Sequence, residues 1–132
     1  MGWVDIMAKA KEALVVDDSK TMRDMVGMTL KQLDFEVTMA GDGVEAYDIA
    51  KDRIFDVVVT DINMPNMDGI ELIRLLREES ACKDIPILVL TTEGGEIAKE
   101  TGKRVGATGW MVKPFRPDVL SRAVKKVCNI AD

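Results

Sequence analysis

The sequence predicts a three-layer α/β/α domain built on a parallel sheet. Three observations lead there. The runs Ala13 to Val16, Val57 to Thr60 and Ile87 to Leu90 are almost wholly apolar and too short for helices, as strands buried on both faces are. Between such runs lie segments whose apolar residues recur at helical spacing. Strand-like and helix-like periods alternate five times, which is how helices come to cover both faces of a parallel sheet.

Taken in order, the first strand, Ala13 to Val16, leads into a helix with one apolar face of Met22, Met25, Val26, Thr29, Leu30 and Leu33. Glu36 to Ala40 forms the second strand. Asp42 then caps a helix that turns Ala46, Ile49 and Ala50 inward. After the third strand, Asp68 caps a helix holding Leu72, Ile73 and Leu76. Glu96 to Val105 follows the fourth strand and is helical in pattern. Gly102 interrupts it and Gly94-Gly95 precede it, so it reads as a locally unstable element, each interior glycine costing about 1 kcal/mol relative to alanine. Trp110 to Val112 is the fifth strand. A last helix from about Pro117 to Val127 buries Val119, Leu120, Ala123, Val124 and Val127.

Composition sets the bounds. The 132 residues fit one domain, able to bury roughly two-thirds of its unfolded surface. The formal net charge is −5, with 18 basic residues scattered among 23 acidic ones, which argues against a nucleic-acid or anionic-membrane surface. No apolar run approaches membrane-spanning length. Met1 to Met7 lacks the basic start of a secretory signal, so a soluble, cytoplasmic protein is expected, with residues 1–10 as a flexible N-terminal extension. Cys82 and Cys128 form no Cys-x-x-Cys motif and read as incidental thiols of a reducing compartment.

The acidic residues stand where this fold binds ligands, beyond the carboxyl ends of the strands. Asp17 and Asp18 follow the first strand and Asp61 the third. Thr91 and Thr92 follow the fourth, and Lys113-Pro114 the fifth. Unit like charges about 4 Å apart repel by about 4 kcal/mol at an effective dielectric of 20, so such a cluster calls for a cation. The donors are oxygens and the chain has no histidine, which suits Mg²⁺ better than Zn²⁺. Carboxylate, cation, hydroxyl and lysine together suit a phosphoryl group.

Each residue alone also has a plain structural reading. Asp18 or Ser19 can cap the first helix, Thr91 or Thr92 the fourth, and Lys113 can be a solvated lysine. Asp61 can be a turn residue, although Met64-Pro65-Asn66-Met67-Asp68-Gly69 already supplies the turn chemistry. Met22, Met25 and Met28 read as core filling and flexible surface rather than a binding box.

The segments LVVDDSKTMR, DINMPNMDG, LTTE and WMVKPF, in this order and spacing, resemble the receiver domain of two-component response regulators. The resemblance covers roughly residues 11–130 and is nearest to single-domain chemotaxis regulators of the CheY type. It implies a flavodoxin-like (βα)5 domain with strand order 2-1-3-4-5. It also implies that Asp61 accepts a phosphoryl group from a phosphohistidine. Asp18 and Asp61 then bind Mg²⁺ directly, Asp17 largely through water, and Asn63 by its backbone carbonyl. Thr91 and Lys113 hold phosphoryl oxygens, and the Lys113-Pro114 bond is cis.

Trp110 occupies the place where the family commonly carries a smaller aromatic whose inward or outward rotamer reports phosphorylation. The size of indole speaks against that swing, although the switching surface carries over. Asn63 and Glu93 match tuning positions that govern access of the hydrolytic water. The implied partners of this monomer are a CheA-like histidine kinase, a flagellar motor switch protein or other target, and a phosphatase. A phosphoryl carrier or sink is the alternative. An aspartyl-phosphate enzyme of the haloacid dehalogenase kind is disfavoured, because its acid–base carboxylate would fall at Asn63, and an amide cannot fill that role. The chain therefore reads as a regulator rather than an enzyme.

Overall fold

The computed structural model describes residues 11–130; the expected N-terminal extension lies outside them. Five βα units follow one another: β1 Lys11–Val16, α1 Lys20–Gln32, β2 Phe35–Ala40, α2 Gly43–Ala50, β3 Val57–Thr60, α3 Gly69–Glu78, β4 Ile87–Thr91, α4 Glu96–Val105, β5 Gly109–Val112 and α5 Pro117–Val127. A single 3₁₀ turn, Ser80–Cys82, sits between α3 and β4. The strands are all parallel in the order β2-β1-β3-β4-β5, the flavodoxin-like arrangement.

Alternation along the strands makes two cores. Leu14, Val16, Val58, Ile87 and Val89 point to the side where α2 and α3 bury Ala46, Ala50, Leu72, Ile73 and Leu76. Ala13, Val15, Val57, Val59, Leu88 and Leu90 point to the other, against Val26 and Leu30 of α1 and Leu120 and Val124 of α5. Each fully buried leucine or isoleucine contributes about 1.5–3 kcal/mol. These are the helix faces that periodicity selects, except that Met25 of α1 and Val119 of α5 are only half-buried and stand outside both cores. Phe55 is fully buried as well, although it stands in the loop before β3 where no period marks it.

Local chemistry fixes the helix starts. Asp42 Oδ1 accepts from the Glu45 N–H and Asp68 Oδ1 from the Glu71 N–H, both at 2.9 Å, as the sequence predicts. Ser19, not Asp18, caps α1 by accepting from the Met22 N–H at 3.3 Å. Thr91 and Thr92 cap nothing: Thr91 ends β4, and Gly95 is the N-cap of α4. Met28 is 63% exposed, whereas Met22 packs against the core.

The structure adds a steric reason for the glycine inside α4. The helix runs unbroken past Gly102, which is buried. A Cβ there would lie 2.4 Å from Cζ3 of Trp110, so the glycine makes room for the indole rather than merely weakening the helix. Arg77 of α3 steadies the far end of α4, donating from Nε and Nη2 to the Gly106 carbonyl at 3.0 and 2.8 Å.

The register brings the strand ends level, with Val16 opposite both Ala40 and Thr60, Thr60 opposite Val89, and Thr91 opposite Val112. From β1 the chain crosses to β2 and then returns over β1 to β3, so the connections part between β1 and β3 and open a crevice there. The loop after β3 closes tightly: the Gly69 N–H donates to the Ile62 carbonyl at 2.8 Å. A Cβ on Gly69 would stand 2.1 Å from the Asp61 carbonyl oxygen. Gly69→Ala is therefore expected to displace the loop and destabilise the protein by about 1–3 kcal/mol, read as a lower midpoint in urea denaturation at unchanged slope.

Candidate functional site

Asp17 and Asp61 emerge from neighbouring strands, and each is fixed on several sides. The Asp17 N–H donates to the Ala40 carbonyl at 3.2 Å, and the Asp61 N–H to the Val16 carbonyl at 3.0 Å, continuing the ladders one residue past the strands. Asp17 Oδ1 accepts from the Ser19 N–H at 3.0 Å, and its carbonyl accepts from Arg23 Nη1 at 2.6 Å. Asp61 Oδ1 accepts from the Ile62 N–H at 2.6 Å. Asp18 is exposed and has no hydrogen-bond partner among the described residues. Carboxylate oxygens from the three residues lie within 4.8 Å of one another.

Lys113 closes the cluster. Its Nζ donates to Asp17 Oδ2 and to Asp61 Oδ2, both at 2.8 Å. The Lys113–Pro114 bond is cis, and the Lys113 N–H donates to the Thr91 carbonyl at 2.8 Å. The three side chains are mostly shielded from water, at 13% exposure for Lys113, 5% for Asp17 and 12% for Asp61. Burial works against the charge on Lys113, but the bonds to Asp17 and Asp61 outweigh it, and the ammonium titrates above the usual lysine range. Its stabilisation is thus fully present at neutral pH and is lost only as alkali passes that raised value.

Three carboxylates against one ammonium leave a formal charge of −2 in the pocket. The donor set is all oxygen, and Asp18 is free to turn inward. Such a set fits a hard divalent cation.

A second group borders the cluster. Thr91 is fully buried, and its Oγ1 accepts from the Glu93 N–H at 3.3 Å. Asn63 Nδ2 donates to Glu93 Oε1 at 3.3 Å, joining the loops after β3 and β4. Trp110 Nε1 donates to the Glu93 carbonyl at 2.9 Å. The size of indole, which speaks against an inward placement, is absorbed by Gly102, and the ring is half-buried against α4. All eight residues singled out in the sequence thus lie in one region. Asp17, Asp18, Asp61 and Lys113 form its centre, while Thr91, Asn63, Glu93 and Trp110 form a connected border without a side-chain bond to the acids among the described residues.

Sequence reasoning missed Arg23, which steadies the Asp17 main chain from one turn inside α1. A basic residue at the start of a helix that follows two acids was the available signal. Gly69 left only a turn signal, since its need arises from contact with Asp61.

The sequence profile of the response regulator receiver domain matches residues 13–125. The chain belongs to that family. A CheY homolog, a chemotaxis protein of Campylobacter jejuni, is 43% identical to this receiver domain over 116 residues, 86% of this chain and 89% of its own. The chemotaxis protein CheY1 of Helicobacter pylori is 41% identical over 121 residues, 90% of this chain and 98% of its own. The crystallised chemotaxis response regulator CheY4 of Vibrio cholerae is 45% identical with a TM-score of 0.85, covering 90% of this chain and 99% of that one. The receiver domain of the sensor histidine kinase PA1611 of Pseudomonas aeruginosa, solved with a magnesium ion in its active-site cleft, has a TM-score of 0.84 at 25% identity, covering 92% and 99%.

Both thiols of this receiver sit away from the cluster. Burial pushes Cys82 and Cys128 above the usual thiol range, in keeping with inert side chains. Among the described residues, no helix is long and apolar enough to cross a membrane.

Removing the ammonium exposes what it balances. Lys113→Met is expected to lower stability by about 1–3 kcal/mol, the worth of hydrogen bonds between charged groups. Urea denaturation checks the loss, and millimolar Mg²⁺ should restore part of it by binding the folded state alone.

Proposed function

We propose that this protein is a phosphorylation-controlled response regulator that accepts a phosphoryl group on Asp61 from a histidine kinase and signals by binding a target. The observation that carries this reading is Asp61 held between two further carboxylates and a lysine, with its own carboxylate fixed by Lys113 and the Ile62 N–H. Few other tasks need a shielded acid so positioned in a pocket left short of positive charge.

In the reaction, a carboxylate oxygen of Asp61 bonds to phosphorus as the bond between phosphorus and the donor's imidazole nitrogen breaks. That nitrogen keeps the electron pair. Holding the carboxylate in one orientation removes much of the entropic cost of the step. Asp18 and Asp61 would hold Mg²⁺ directly, Asp17 largely through water, and Asn63 by its carbonyl; the bound ion supplies charge neutralisation to the phosphoryl oxygens. The Lys113 ammonium and the Thr91 hydroxyl would stabilise the remaining charge. Asn63 and Glu93, joined by a hydrogen bond at 3.3 Å, would govern the approach of water to the product.

The output would be a binding surface formed by α4, β5 and α5, with Trp110 reporting the state of the site. The chemotaxis relatives favour a CheA-like kinase as donor and the flagellar motor switch as target, with a phosphatase resetting the state. The protein would work as a cytoplasmic monomer that turns over no metabolite, and residues 11–130 would form the whole receiver unit.

Tryptophan fluorescence during titration with Mg²⁺, then with Mg²⁺ and beryllofluoride, tests the reading. In a Trp3→Phe background the wild-type site should respond to both. Asp18→Asn should weaken the Mg²⁺ response about tenfold or more, as removal of one charged ligand does. Asp61→Asn should abolish the beryllofluoride response and any acyl phosphate formed from a small phosphodonor. Full phosphorylation of Asp61→Asn would overturn the assignment of the acceptor.

A further inference from the structure

We infer that Gly102 and Trp110 are positioning residues for Glu93, and that through it they set how long an acyl phosphate on Asp61 survives. The inference rests on the functional reading above. It begins with a glycine in the wrong place. Interior glycine weakens a helix, and Gly102 has no left-handed backbone to justify it. What it does have is the indole edge: a Cβ would meet Cζ3 of Trp110 at 2.4 Å and Cε3 at 2.9 Å. A side chain in this slot requires the ring or the helix to shift.

The slot has a consequence one residue contact further on. With its edge against Gly102 of α4, Trp110 donates from Nε1–H to the Glu93 carbonyl, 2.9 Å away. Glu93 needs such an anchor. It is followed by Gly94 and Gly95; a Cβ on Gly95 would touch nothing within 4 Å and one on Gly94 would meet only the Val112 side chain, at 3.4 Å, so little packs on the loop there. Only two bonds fix the Glu93 main chain among the described residues: the one from Trp110, and its own N–H donating to Thr91 Oγ1. So held, its carboxylate reaches Asn63 Nδ2, two residues beyond Asp61, at 3.3 Å.

Hydrolysis of the acyl phosphate joins a water oxygen to phosphorus, breaks the bond from phosphorus to the Asp61 carboxylate oxygen, and releases inorganic phosphate and a proton. A Glu93 carboxylate tied to Asn63 narrows the approach for that water. Release of the anchor lets Glu93 leave Asn63, and water enters. The lifetime of the signal is thus set partly from the α4–β5 side of the domain.

The test uses the full chain, phosphorylated by a small phosphodonor with Mg²⁺; the donor is then removed and decay of the acyl phosphate is followed by phosphorus NMR. Trp110→Phe keeps an apolar ring but removes the N–H, and Gly102→Ala closes the slot. Both should hasten decay by about threefold to tenfold, the factor that one hydrogen bond is worth. In a Glu93→Ala background, Trp110→Phe should add nothing. Separately, Gly102→Ala in a Trp3→Phe background should shift Trp110 emission to the red and increase its quenching by acrylamide.

Unchanged decay in both variants overturns the inference while leaving the acceptor assignment intact. Equal acceleration with and without Glu93 overturns it too, because the route then bypasses that residue. Unchanged Trp110 emission in Gly102→Ala overturns the steric step. Failure of the wild type to form any acyl phosphate overturns the functional reading and the inference with it.

Discussion

Mutual repulsion among Asp17, Asp18 and Asp61 is the constraint on which the rest of the site depends. Three carboxylates within 4.8 Å of one another can be held together only if the fold supplies compensation at fixed positions. Lys113 supplies part of it, bridging Asp61 and Asp17 at 2.8 Å from the end of a strand two and three places away in the sheet. Backbone N–H groups of Ser19 and Ile62 supply more. The parallel register makes this possible, because only strands that end level can bring the residues after β1, β3 and β5 to one rim. A pocket so arranged keeps a deficit of positive charge, and that deficit is what gives it chemistry.

Stability and function are in tension there. Interior packing of the two apolar layers holds the strands in place, while the rim they carry would prefer to spread. Gly69 shows how tightly the balance is drawn, since the loop after β3 returns so near the Asp61 main chain that one methyl group has no room. Arg23 acts in the same sense from α1, holding the Asp17 carbonyl. Neither residue touches a reacting group, yet both keep the acids from drifting apart.

Outward from the acids, contacts run in a chain instead of a cluster. Thr91 holds the Glu93 N–H, Glu93 joins Asn63 on one side and Trp110 on the other, and Trp110 rests on Gly102 of α4. Each link is a single hydrogen bond or a single ring contact, worth about 1 kcal/mol. Such a chain is strong enough to hold one arrangement and weak enough to be replaced by another.

The amino-acid sequence by itself determined the five βα units, the faces of α1, α2, α3 and α5, the caps at Asp42 and Asp68, and the acids that meet at the rim. These follow from periods of 2 and 3.6 residues and from the nature of strand ends, which are local properties. What only the tertiary structure decided are the features that exist through contact between distant segments. Ser19 rather than Asp18 caps α1 because Asp17 already accepts the Ser19 N–H and turns the chain. Gly102 reads locally as a flaw in α4, and becomes a seat for Trp110 only when β5 lies beside that helix. Phe55, Gly69 and Arg23 leave little mark on any local pattern, since burial, close approach and a carbonyl partner 6 residues away are set by how the units pack.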